Sequence, residues 1–600
     1  MCGIGGVVGS HEGFDLAAMQ RALAHRGPDG EGAIEPHPAV WLCATRLALR
    51  DAGPRGAQPM QEGTLTVVYN GELYNTVALR EQLGSLAPQS PRSDTALLLA
   101  AYRAWGEKLV ERIEGMFAFA LWDDDARVLL LGRDPLGVKP LFVAKKGQRV
   151  AFASEIRALL AGGVVPARLD RDAVDAYLAT GSPSEPRAII AGIDALPPGT
   201  TESIGLDGTR RRNRYWVGPR RATRDGRDAA SQVAARLEEV VPQYLVGDSP
   251  VGLLLSDGVD SAALAIVAAR TTKRLPSFHV HIDPAAAAVA AARARRFGFE
   301  HVEVSIEGRE LERAGAEWLV AQDQPSIDGL NTWLVARAVR AAGVKAVLSG
   351  VGADELFVGY PYYRTAERIA ALERPLALLH APASLVAPIM ARAQLSGVKL
   401  GWPAAKALEV LAGRTPPEVA LRRLFPLAMR RAVFSTARDV ADPHRELGHG
   451  AIAAATRDLS GYLVDTLLRD ADVMGMAHGV ELRVPFVDVR LVELVTSLPD
   501  SVRLGGGPKQ LLLDAVPGLR EIAPVAKRGF ELPVERLLMD RSGDELRDLV
   551  NDRQLVDDCG LVPRAAKELV RRGSRSRPDA FRALAIGALL SWARRHGARL

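Results

Sequence analysis

Short apolar runs, separated by Gly, Pro and charged residues, fill the chain from its start to about residue 215. Their period and the turn residues between them are typical of strands, and the runs are Leu65–Tyr69, Val128–Leu131, Leu141–Val143 and Val150–Ala153. The first run ends at Asn70-Gly71, a dipeptide that predicts a hairpin turn. Helical spacing occurs between the runs, at Thr95–Trp105 and Leu109–Ile113. This part of the chain therefore predicts a strand-rich α+β domain.

The pattern changes after about residue 230, where apolar runs alternate with alanine-rich helical stretches. The runs are Val251–Leu255, Ser277–Ile282 and Ala346–Leu348, and the helical stretches include Ala285–Arg296 and Thr332–Ala342. Strands that alternate with helices indicate a doubly wound parallel α/β sheet. The pattern is mostly helical from there to Leu600, so we expect the sheet to carry a large helical extension.

These patterns divide the chain into a first domain over residues 1–215, a linker over residues 216–230 and a second domain over residues 231–600. Breakers at Ser182–Pro186 and Pro197–Gly199 mark the end of the first part. Eight arginines then crowd residues 210–227. Such a run is either a nucleic-acid surface or a solvated connection between domains. We favour the connection, because single charge runs usually lie at the surface.

The composition is that of a globular chain, since 48% of the 600 residues are apolar and 24% are charged. A net charge of +5 is too small for this length to indicate a nucleic-acid partner. Three cysteines without a CxxC pair favour a reducing, cytoplasmic location. We expect no signal peptide and no membrane span. The longest uncharged stretch, Pro375–Ala391, is too short to cross a bilayer and predicts a helical hairpin or loop.

The first candidate for chemistry is Cys2, which directly follows Met1. If Met1 is removed, Cys2 carries a thiol and its own base, because the α-amine has a pKa near ~8. Such a residue is a self-contained nucleophile for acyl transfer. The pair Asn70-Gly71 could supply a side-chain amide and a backbone N–H to an oxyanion hole, although a plain hairpin turn explains the same pair.

Three charged residues could bind a free amino acid beside this thiol. Arg46 could pair with the carboxylate, and Glu72 and Asp94 could pair with the ammonium group. Each of them could equally be an ordinary structural charge.

Eight motifs of the first domain occur in an order that is shared with a known family. They are Met1–Ile4, His25–Asp29, Arg46–Ala48, Tyr69–Glu72, Ser93-Asp94, Gly115–Ala120, Arg133–Gly137 and Ala153–Glu155. With these motifs the first domain resembles the class II, N-terminal-nucleophile glutaminase domain of glutamine-hydrolysing asparagine synthetases. The resemblance implies a four-layer sandwich, Cys2 as nucleophile, Asn70 and Gly71 as oxyanion hole, and glutamine held by Arg46, Glu72 and Asp94.

A second candidate site begins where the run Val251–Leu255 meets the loop Ser256–Ser261 and a helical stretch. A strand, a short Gly/Ser turn and a helix aim backbone N–H groups at a phosphate, although a plain strand-to-helix connection has the same pattern. The hydroxyls of Ser256 and Ser261 could hold a pyrophosphate. Asp260 could orient it or bind Mg²⁺.

This loop resembles the pyrophosphate-binding motif of ATP pyrophosphatases, the second domain of asparagine synthetases. Further segments match in order, namely Leu348–Phe357, Met476–Asp488, Lys509–Leu513 and Lys527–Phe530. The resemblance covers nearly the whole chain, apart from residues ~365–455. It implies contacts to ATP from Leu254, Ser256, Gly258, Ser261, Val280, Ser349 and Gly350, with Asp260, Asp354 and Lys509 at the magnesium pyrophosphate.

The sequence departs from the family pattern at three places. Asp257 replaces a glycine of the phosphate loop and adds a negative charge there. Val351 stands where many members carry an acidic residue that can act as a base. The expected acceptor region contains Asp328 and Asn331, which could bind polar groups of the acceptor or cap the helix near Thr332.

The leading hypothesis is therefore an amidotransferase that converts glutamine, aspartate and ATP into glutamate, asparagine, AMP and pyrophosphate. Its partners are these small molecules and Mg²⁺, with no nucleic acid and no membrane, and the resemblance implies a possible homodimer. The first alternative is the same chemistry on another small carboxylic acid. The second is a degraded homologue without catalysis.

Overall fold

The computed structural model describes residues 2–600 with gaps. The gaps are residues 52, 91–92, 219–222, 307, 373–382, 384–385, 387–388, 391–401, 413–414, 439–444, 524–533 and 539–540. The predicted hairpin or loop at Pro375–Ala391 lies almost wholly outside the described residues, and the motif Lys527–Phe530 lies entirely outside them.

Seventeen strands are present in the described part of the chain. They are β1 Cys2–Val8, β2 Gly30–His37, β3 Val40–Arg46, β4 Met60–Glu62, β5 Leu65–Leu73, β6 Gly115–Asp123, β7 Val128–Arg133, β8 Phe142–Lys146, β9 Arg149–Ala153, β10 Ile193–Ala195, β11 Thr200–Gly205, β12 Arg210–Arg214, β13 Val251–Leu254, β14 Pro276–His281, β15 Glu300–Ser305, β16 Ala346–Leu348 and β17 Glu481–Arg483.

The α-helices of the described residues dominate the second half. They are α1 Leu16–Arg21, α2 Thr76–Leu83, α3 Asp94–Trp105, α4 Ile156–Ala161, α5 Arg171–Thr180, α6 Ala229–Tyr244, α7 Val259–Thr271, α8 Pro284–Phe297, α9 Gly308–Ala321, α10 Leu330–Ala341, α11 Ala353–Leu356, α12 Pro361–Ala371, α13 Trp402–Leu411, α14 Pro417–Arg422, α15 Leu427–Val433, α16 Ala451–Ser460, α17 Arg469–Met476, α18 Val489–Thr496, α19 Asp500–Leu504, α20 Gln510–Ala515, α21 Leu519–Ile522, α22 Val534–Leu537, α23 Arg541–Asn551, α24 Arg553–Asp558, α25 Pro563–Arg572 and α26 Arg577–His596. A π-helical segment, Leu463–Leu468, directly precedes α17.

Two six-stranded antiparallel sheets form the first domain, in the orders β10-β8-β9-β1-β3-β2 and β12-β11-β7-β6-β5-β4. Their inner faces share one core, in which Ile4 and Phe152 of the first sheet meet Val68 and Ala120 of the second. The helix α4 packs on the outer face of the first sheet, and α3 packs on that of the second. The predicted four-layer sandwich is confirmed. Because both faces of the central strands are covered, their sequences are apolar runs rather than alternating patterns.

Two local predictions in this domain are wrong, and a third holds in part. Asn70-Gly71 is no turn, because β5 continues to Leu73 and pairs with β6 throughout. The predicted helical segment Leu109–Ile113 overlaps a 3₁₀ helix, Gly106–Glu111, only in its first three residues. The arginine run is not a linker throughout, since Arg210–Arg214 form the edge strand β12 beside β11. Glu202 pairs with Arg210 and Arg212, which neutralises part of the run.

The second domain is built on a parallel sheet with the order β15-β14-β13-β16-β17. Strand order reverses between β13 and β16, and crevices at such a switch point bind ligands beyond the carboxyl ends of the strands. The loops after Leu254 and Leu348 both lie there. The predicted parallel sheet with a large helical extension is confirmed. Among the described residues, no helix combines the length and the apolar character that crossing a bilayer requires.

The two domains meet through buried ion pairs. Arg26, which is fully buried, contacts Glu155 Oε1 and Asp472 Oδ2 at 2.7 Å each. Burial alone would raise the pKa of Glu155, but His25, Arg157 and Arg26 outweigh burial and hold that pKa well below its ordinary value. Lys139 Nζ lies 3.5 Å from the other oxygen of Asp472. One arginine of the first domain therefore joins carboxylates of both domains.

Replacing Arg26 by Met should destabilise the protein by about 3–5 kcal/mol, because it leaves Glu155 and Asp472 buried without this partner. The midpoint of urea unfolding is the measurement. The control is R313A, which removes an exposed partner of Glu317 on α9 and should leave the midpoint unchanged. Equal midpoints for R26M and the wild type would show that the buried pairs do not hold the domains together.

Candidate active sites

Cys2 is the first residue of β1 and is buried, with 4% of its surface exposed. Its backbone N–H donates to Asn70 Oδ1 at 3.0 Å, and its carbonyl accepts from Arg26 Nε at 3.3 Å. Gln58 Nε2 lies 3.5 Å from the thiol sulfur and donates to it, while Gln58 Oε1 accepts from the N–H of Tyr69. The sulfur is therefore held at the edge of a small cavity between the two sheets.

Asn70 and Gly71 lie beside this thiol on β5. The Asn70 side chain is buried, and its Nδ2 has no hydrogen-bond partner among the described residues. A buried donor without a partner is costly, so its presence next to Cys2 suits an oxyanion that forms during catalysis. A Cβ at Gly71 would lie 2.2 Å from the carbonyl oxygen of Met116. Glycine is therefore needed there for β5 to approach β6.

Glu72 and Asp94 lie in the same cavity wall, and both are buried. Burial raises the pKa of both carboxyl groups, and the nearby Arg50 and Arg483 oppose this rise. The negative charges of Asp94 and Glu481 raise the pKa of Glu72 further. Asp94 accepts from the N–H of Leu73 at 2.9 Å. Two buried carboxylates on one wall suit a cationic group such as an ammonium ion.

Arg46 also lines the cavity, but its guanidinium group bonds to the chain that follows it. Arg46 Nη1 donates to the carbonyl of Gly53 at 3.2 Å, and Nη2 donates to those of Arg50 and Asp51. The predicted carboxylate binder therefore holds the loop over the cavity. The structure brings all six predicted glutaminase residues to one place.

Sequence reasoning missed two residues of this cavity, Gln58 and Arg50. Arg50 pairs with Glu72 through Nε and lies 3.3 Å from Asp94 Oδ1 through Nη1. The one local signal is a charged residue directly after the buried Leu47–Leu49. Glu72 also contacts Arg483 of β17, at 3.5 Å.

The loop Ser256–Ser261 connects β13 to α7 at the switch point of the parallel sheet. The hydroxyls of Ser256 and Ser261 lie 3.0 Å apart, and the N–H of Gly258 donates to Ser256 Oγ at 3.1 Å. The loop is thus closed by its own hydrogen bonds. A phosphate would replace these bonds with bonds to its oxygens.

Three predicted phosphate-site residues meet beside this loop. Lys509 Nζ lies 2.6 Å from Asp260 Oδ1 and 2.8 Å from Asp354 Oδ1. Burial alone would lower the pKa of Lys509, but the two aspartates outweigh burial and raise it. A Cβ at Gly359 would lie 2.1 Å from Asp354 Oδ1 and 2.3 Å from Lys509 Cε. The cluster therefore needs glycine at this position.

Mg²⁺ fits this cluster as a partner of bound phosphates. It prefers one or two protein carboxylates and takes its remaining ligands from phosphates and water. Asp260 and Asp354, which both contact Lys509 Nζ, are two such carboxylates. Within the described ranges, no group of three or more His, Cys, Asp or Glu side chains could hold a metal ion by itself. Asp260 and Asp354 would hold the ion only together with phosphate oxygens.

The negative charge of Asp257 has a cation nearby. Arg293 of α8 donates to the carbonyls of Ser256 and Gly258, at 2.6 and 2.9 Å. Burial lowers the pKa of Arg293, and Asp257 partly offsets that effect. The sequence did not point to Arg293, whose positive charge interacts with Asp257 of the predicted phosphate loop.

The remaining predicted ATP-site residues lie at the same end of the sheet. Leu254 ends β13, Val280 is in the neighbouring β14, and Ser349 and Gly350 follow β16. A Cβ at Gly350 would lie 2.8 Å from Cβ of Asp260, so the loops after β13 and β16 touch each other. The N–H of Ser349 donates to the carbonyl of Arg483 at 2.8 Å.

The two acceptor candidates, Asp328 and Asn331, lie at the start of α10. Asp328 Oδ2 accepts from the Tyr462 hydroxyl at 3.2 Å. The helix begins at Leu330 with Gly329 as its N-cap, so the predicted cap at Asp328 or Asn331 is wrong. Asn331 Oδ1 accepts from the N–H of its neighbour Thr332 at 2.8 Å.

Val351 is half-buried against apolar neighbours, four residues before a buried carboxyl group. That group belongs to Glu355, and burial together with Asp354 and Asp458 raises its pKa to about 7. The Tyr360 hydroxyl donates to Glu355 Oε1 at 2.8 Å. Glu355 thus directly follows Asp354 of the predicted phosphate site in the chain.

Both halves of the chain match known protein families. Residues 1–216 match the glutamine amidotransferase domain, and residues 232–594 match asparagine synthase. A chain that joins these two parts is a glutamine-dependent ligase. The protein belongs to the family of glutamine-hydrolysing asparagine synthetases.

Three relatives illustrate the similarity. The glutamine-hydrolysing asparagine synthetase 1 of Bacillus subtilis is 28% identical, over 92% of this chain and 90% of its own length. The asparagine synthetase 3 of the same organism is 30% identical, over 86% of this chain and 84% of its own. The amidase chry2 of Gibberella zeae is 26% identical, over 82% and 79%.

Replacing Asn70 by Asp should lower kcat for glutamine hydrolysis by about 10²–10³-fold, because the side chain keeps an acceptor for the Cys2 N–H and loses the free Nδ2 donor. The measurement is glutamate formation without ATP. The control is N75D, which changes a half-buried asparagine bonded to residues 112 and 114, outside the cavity. Equal kcat values for N70D and the wild type would exclude Nδ2 from the oxyanion hole.

Proposed function

We propose that this protein transfers the amide nitrogen of glutamine to aspartate, with cleavage of ATP to AMP and pyrophosphate. The observation that carries the proposal is a chain of contacts between the two candidate sites. Glu72 of the thiol cavity contacts the Arg483 side chain, and the Arg483 carbonyl accepts from Ser349 in the predicted nucleotide loop. A glutaminase and a synthetase that share residues at their boundary suit a coupled reaction.

In the first site, the thiolate of Cys2 attacks the side-chain amide carbon of glutamine, with its α-amine as base once Met1 is removed. Asn70 Nδ2 and the N–H of Gly71 stabilise the oxyanion. The C–N bond then breaks, ammonia leaves, and water releases glutamate from the thioester. Neutral ammonia must reach the second site before it meets bulk water, because at neutral pH it would become ammonium.

In the second site, a carboxylate oxygen of aspartate attacks the α-phosphorus of ATP, and the bond to the β-phosphate oxygen breaks. Lys509 and the N–H groups of the loop Ser256–Ser261 stabilise the departing pyrophosphate. Mg²⁺, held by Asp260 and Asp354 with the phosphates, would supply further charge neutralisation. Ammonia then displaces AMP from the acyl-adenylate, and the amide forms.

A different small carboxylic acid is the second candidate acceptor. One observation favours it: a relative is named an amidase rather than an asparagine synthetase. Asp328, with its hydrogen bond from Tyr462, and Asn331 would contact the polar groups of either acceptor.

A panel of acids tests the acceptor. Purified protein with Mg²⁺-ATP, glutamine and each acid should release pyrophosphate and form an amide detectable by mass spectrometry. Asparagine formed from aspartate would support the proposal. Amide formed only from another acid would keep the mechanism and change the acceptor. If glutamate forms but no acid leads to pyrophosphate release, the result would support glutamine hydrolysis and contradict ATP-dependent amide formation.

Replacing Cys2 by Ala should abolish amide formation from glutamine and leave amide formation from ammonium salts intact, because the thiol serves only the first site. Pyrophosphate release with each nitrogen source is the measurement. C43A is a matched control, since Cys43 is a buried thiol of the neighbouring strand β3. Loss of the ammonium-dependent reaction in C2A would contradict a two-site mechanism.

A further inference from the structure

Arg50 lies in the thiol cavity and contacts both carboxylates that are proposed to bind the glutamine ammonium group. It pairs with Glu72 through Nε, and its Nη1 lies 3.3 Å from Asp94 Oδ1. Its side chain is 13% exposed. Burial alone would lower the pKa of Arg50, but Glu72 and Asp94 outweigh burial and raise it. The guanidinium group therefore stays charged between the two carboxylates.

A charged partner is needed at this position when the cavity holds no substrate. Glu72 and Asp94 are buried like charges, and leaving both without a cation would cost free energy or protonate one of them. Arg483 reaches Glu72 at 3.5 Å and is itself paired with Glu481 at 2.6 Å. Arg50 is thus the cation that contacts both carboxylates in the described part of the cavity.

Space for Arg50 to move exists on its other side. Arg50 also lines a groove of about 970 Å³ between the domains, which carries five carboxylates, those of Glu81, Glu111, Glu114, Glu239 and Asp248. Apart from Arg50, three arginines line the same groove, namely Arg112, Arg236 and Arg490. The side chain therefore forms a wall between the small cavity and a larger groove with an excess of negative charge.

We propose that Arg50 is an internal plug of the ammonium subsite, which glutamine must displace towards the groove before Cys2 can act on it. This inference rests on the proposed function, since it takes glutamine as the amide donor. The ammonium group of glutamine replaces the guanidinium group against Glu72 and Asp94, so one buried pairing of charges substitutes for another. The displaced guanidinium group meets the carboxylates of the groove.

The plug weakens glutamine binding without weakening catalysis. An internal group that fills a subsite for nine-tenths of the time raises the apparent Kd about tenfold, because only the open fraction binds. The bound complex, in which Cys2 reacts, is the same with or without the plug. Removing Arg50 should therefore change KM and leave kcat alone.

The test compares glutamine hydrolysis without ATP in the wild type, R50L and R50Q. Both variants should show KM for glutamine lowered about tenfold with kcat unchanged. R50Q is included because it keeps polar bonds to the carboxylates and protects the test if R50L does not fold. R112L is the matched control, since Arg112 lines the groove and contacts Gln82 rather than the thiol cavity, and its KM should equal that of the wild type.

Thermal melting in a C2A background supplies a readout that a structural role alone would not produce. Without glutamine, C2A/R50L should melt below C2A, because Glu72 and Asp94 lose a cation. Saturating glutamine should raise its melting temperature by more than it raises that of C2A, because the ligand restores the cation.

Four results would overturn the plug. A raised KM in both variants would make Arg50 a binder of glutamine, and an unchanged KM would make it structural. Equal glutamine-induced melting shifts would exclude displacement. If neither the wild type nor the variants hydrolyse glutamine, the proposed function and the plug both fail. If the wild type hydrolyses glutamine and KM does not fall in the variants, only the plug fails.

Discussion

Charge buried between the two domains is the constraint on which the rest of this structure depends. Arg26, Glu155 and Asp472 are removed from water, and so are Glu72 and Arg483. Buried charges are stable only when their partners are in place, so the domains have little freedom to dock in another way. The docking in turn sets the position of the thiol cavity relative to the carboxyl ends of the parallel strands.

Both domains use buried strands to position the residues of their candidate sites. In the antiparallel sandwich, β1 and β5 bring Cys2 and Asn70 from distant parts of the chain to within one hydrogen bond. In the parallel sheet, the reversal of strand order opens a crevice in which two loops touch at Gly350 and Asp260. In both cases the rigid strands position the groups and the loops between them supply the polar contacts.

Most of the architecture could be predicted from the sequence, because apolar runs and helical spacing report burial directly. Local patterns gave a wrong prediction at Asn70-Gly71, where pairing with β6 overrides the turn preference. They also gave a wrong prediction at Arg210–Arg214, which form an edge strand whose positive charge is partly neutralised by Glu202. Arg50 and Arg293 could not be predicted. Their partners lie more than twenty residues away in sequence, and only the folded chain brings those partners near.

Arg26 donates through Nε to the carbonyl of Cys2 while its other nitrogens bind Glu155 and Asp472. One side chain thus aligns the strand that carries the thiol and closes the boundary between the domains. Any substitution of Arg26 therefore changes both the support of the thiol strand and the contact between the domains. A lineage that lost the glutaminase reaction would still be under selection to keep Arg26, so this arginine should outlast the cysteine when the first domain decays.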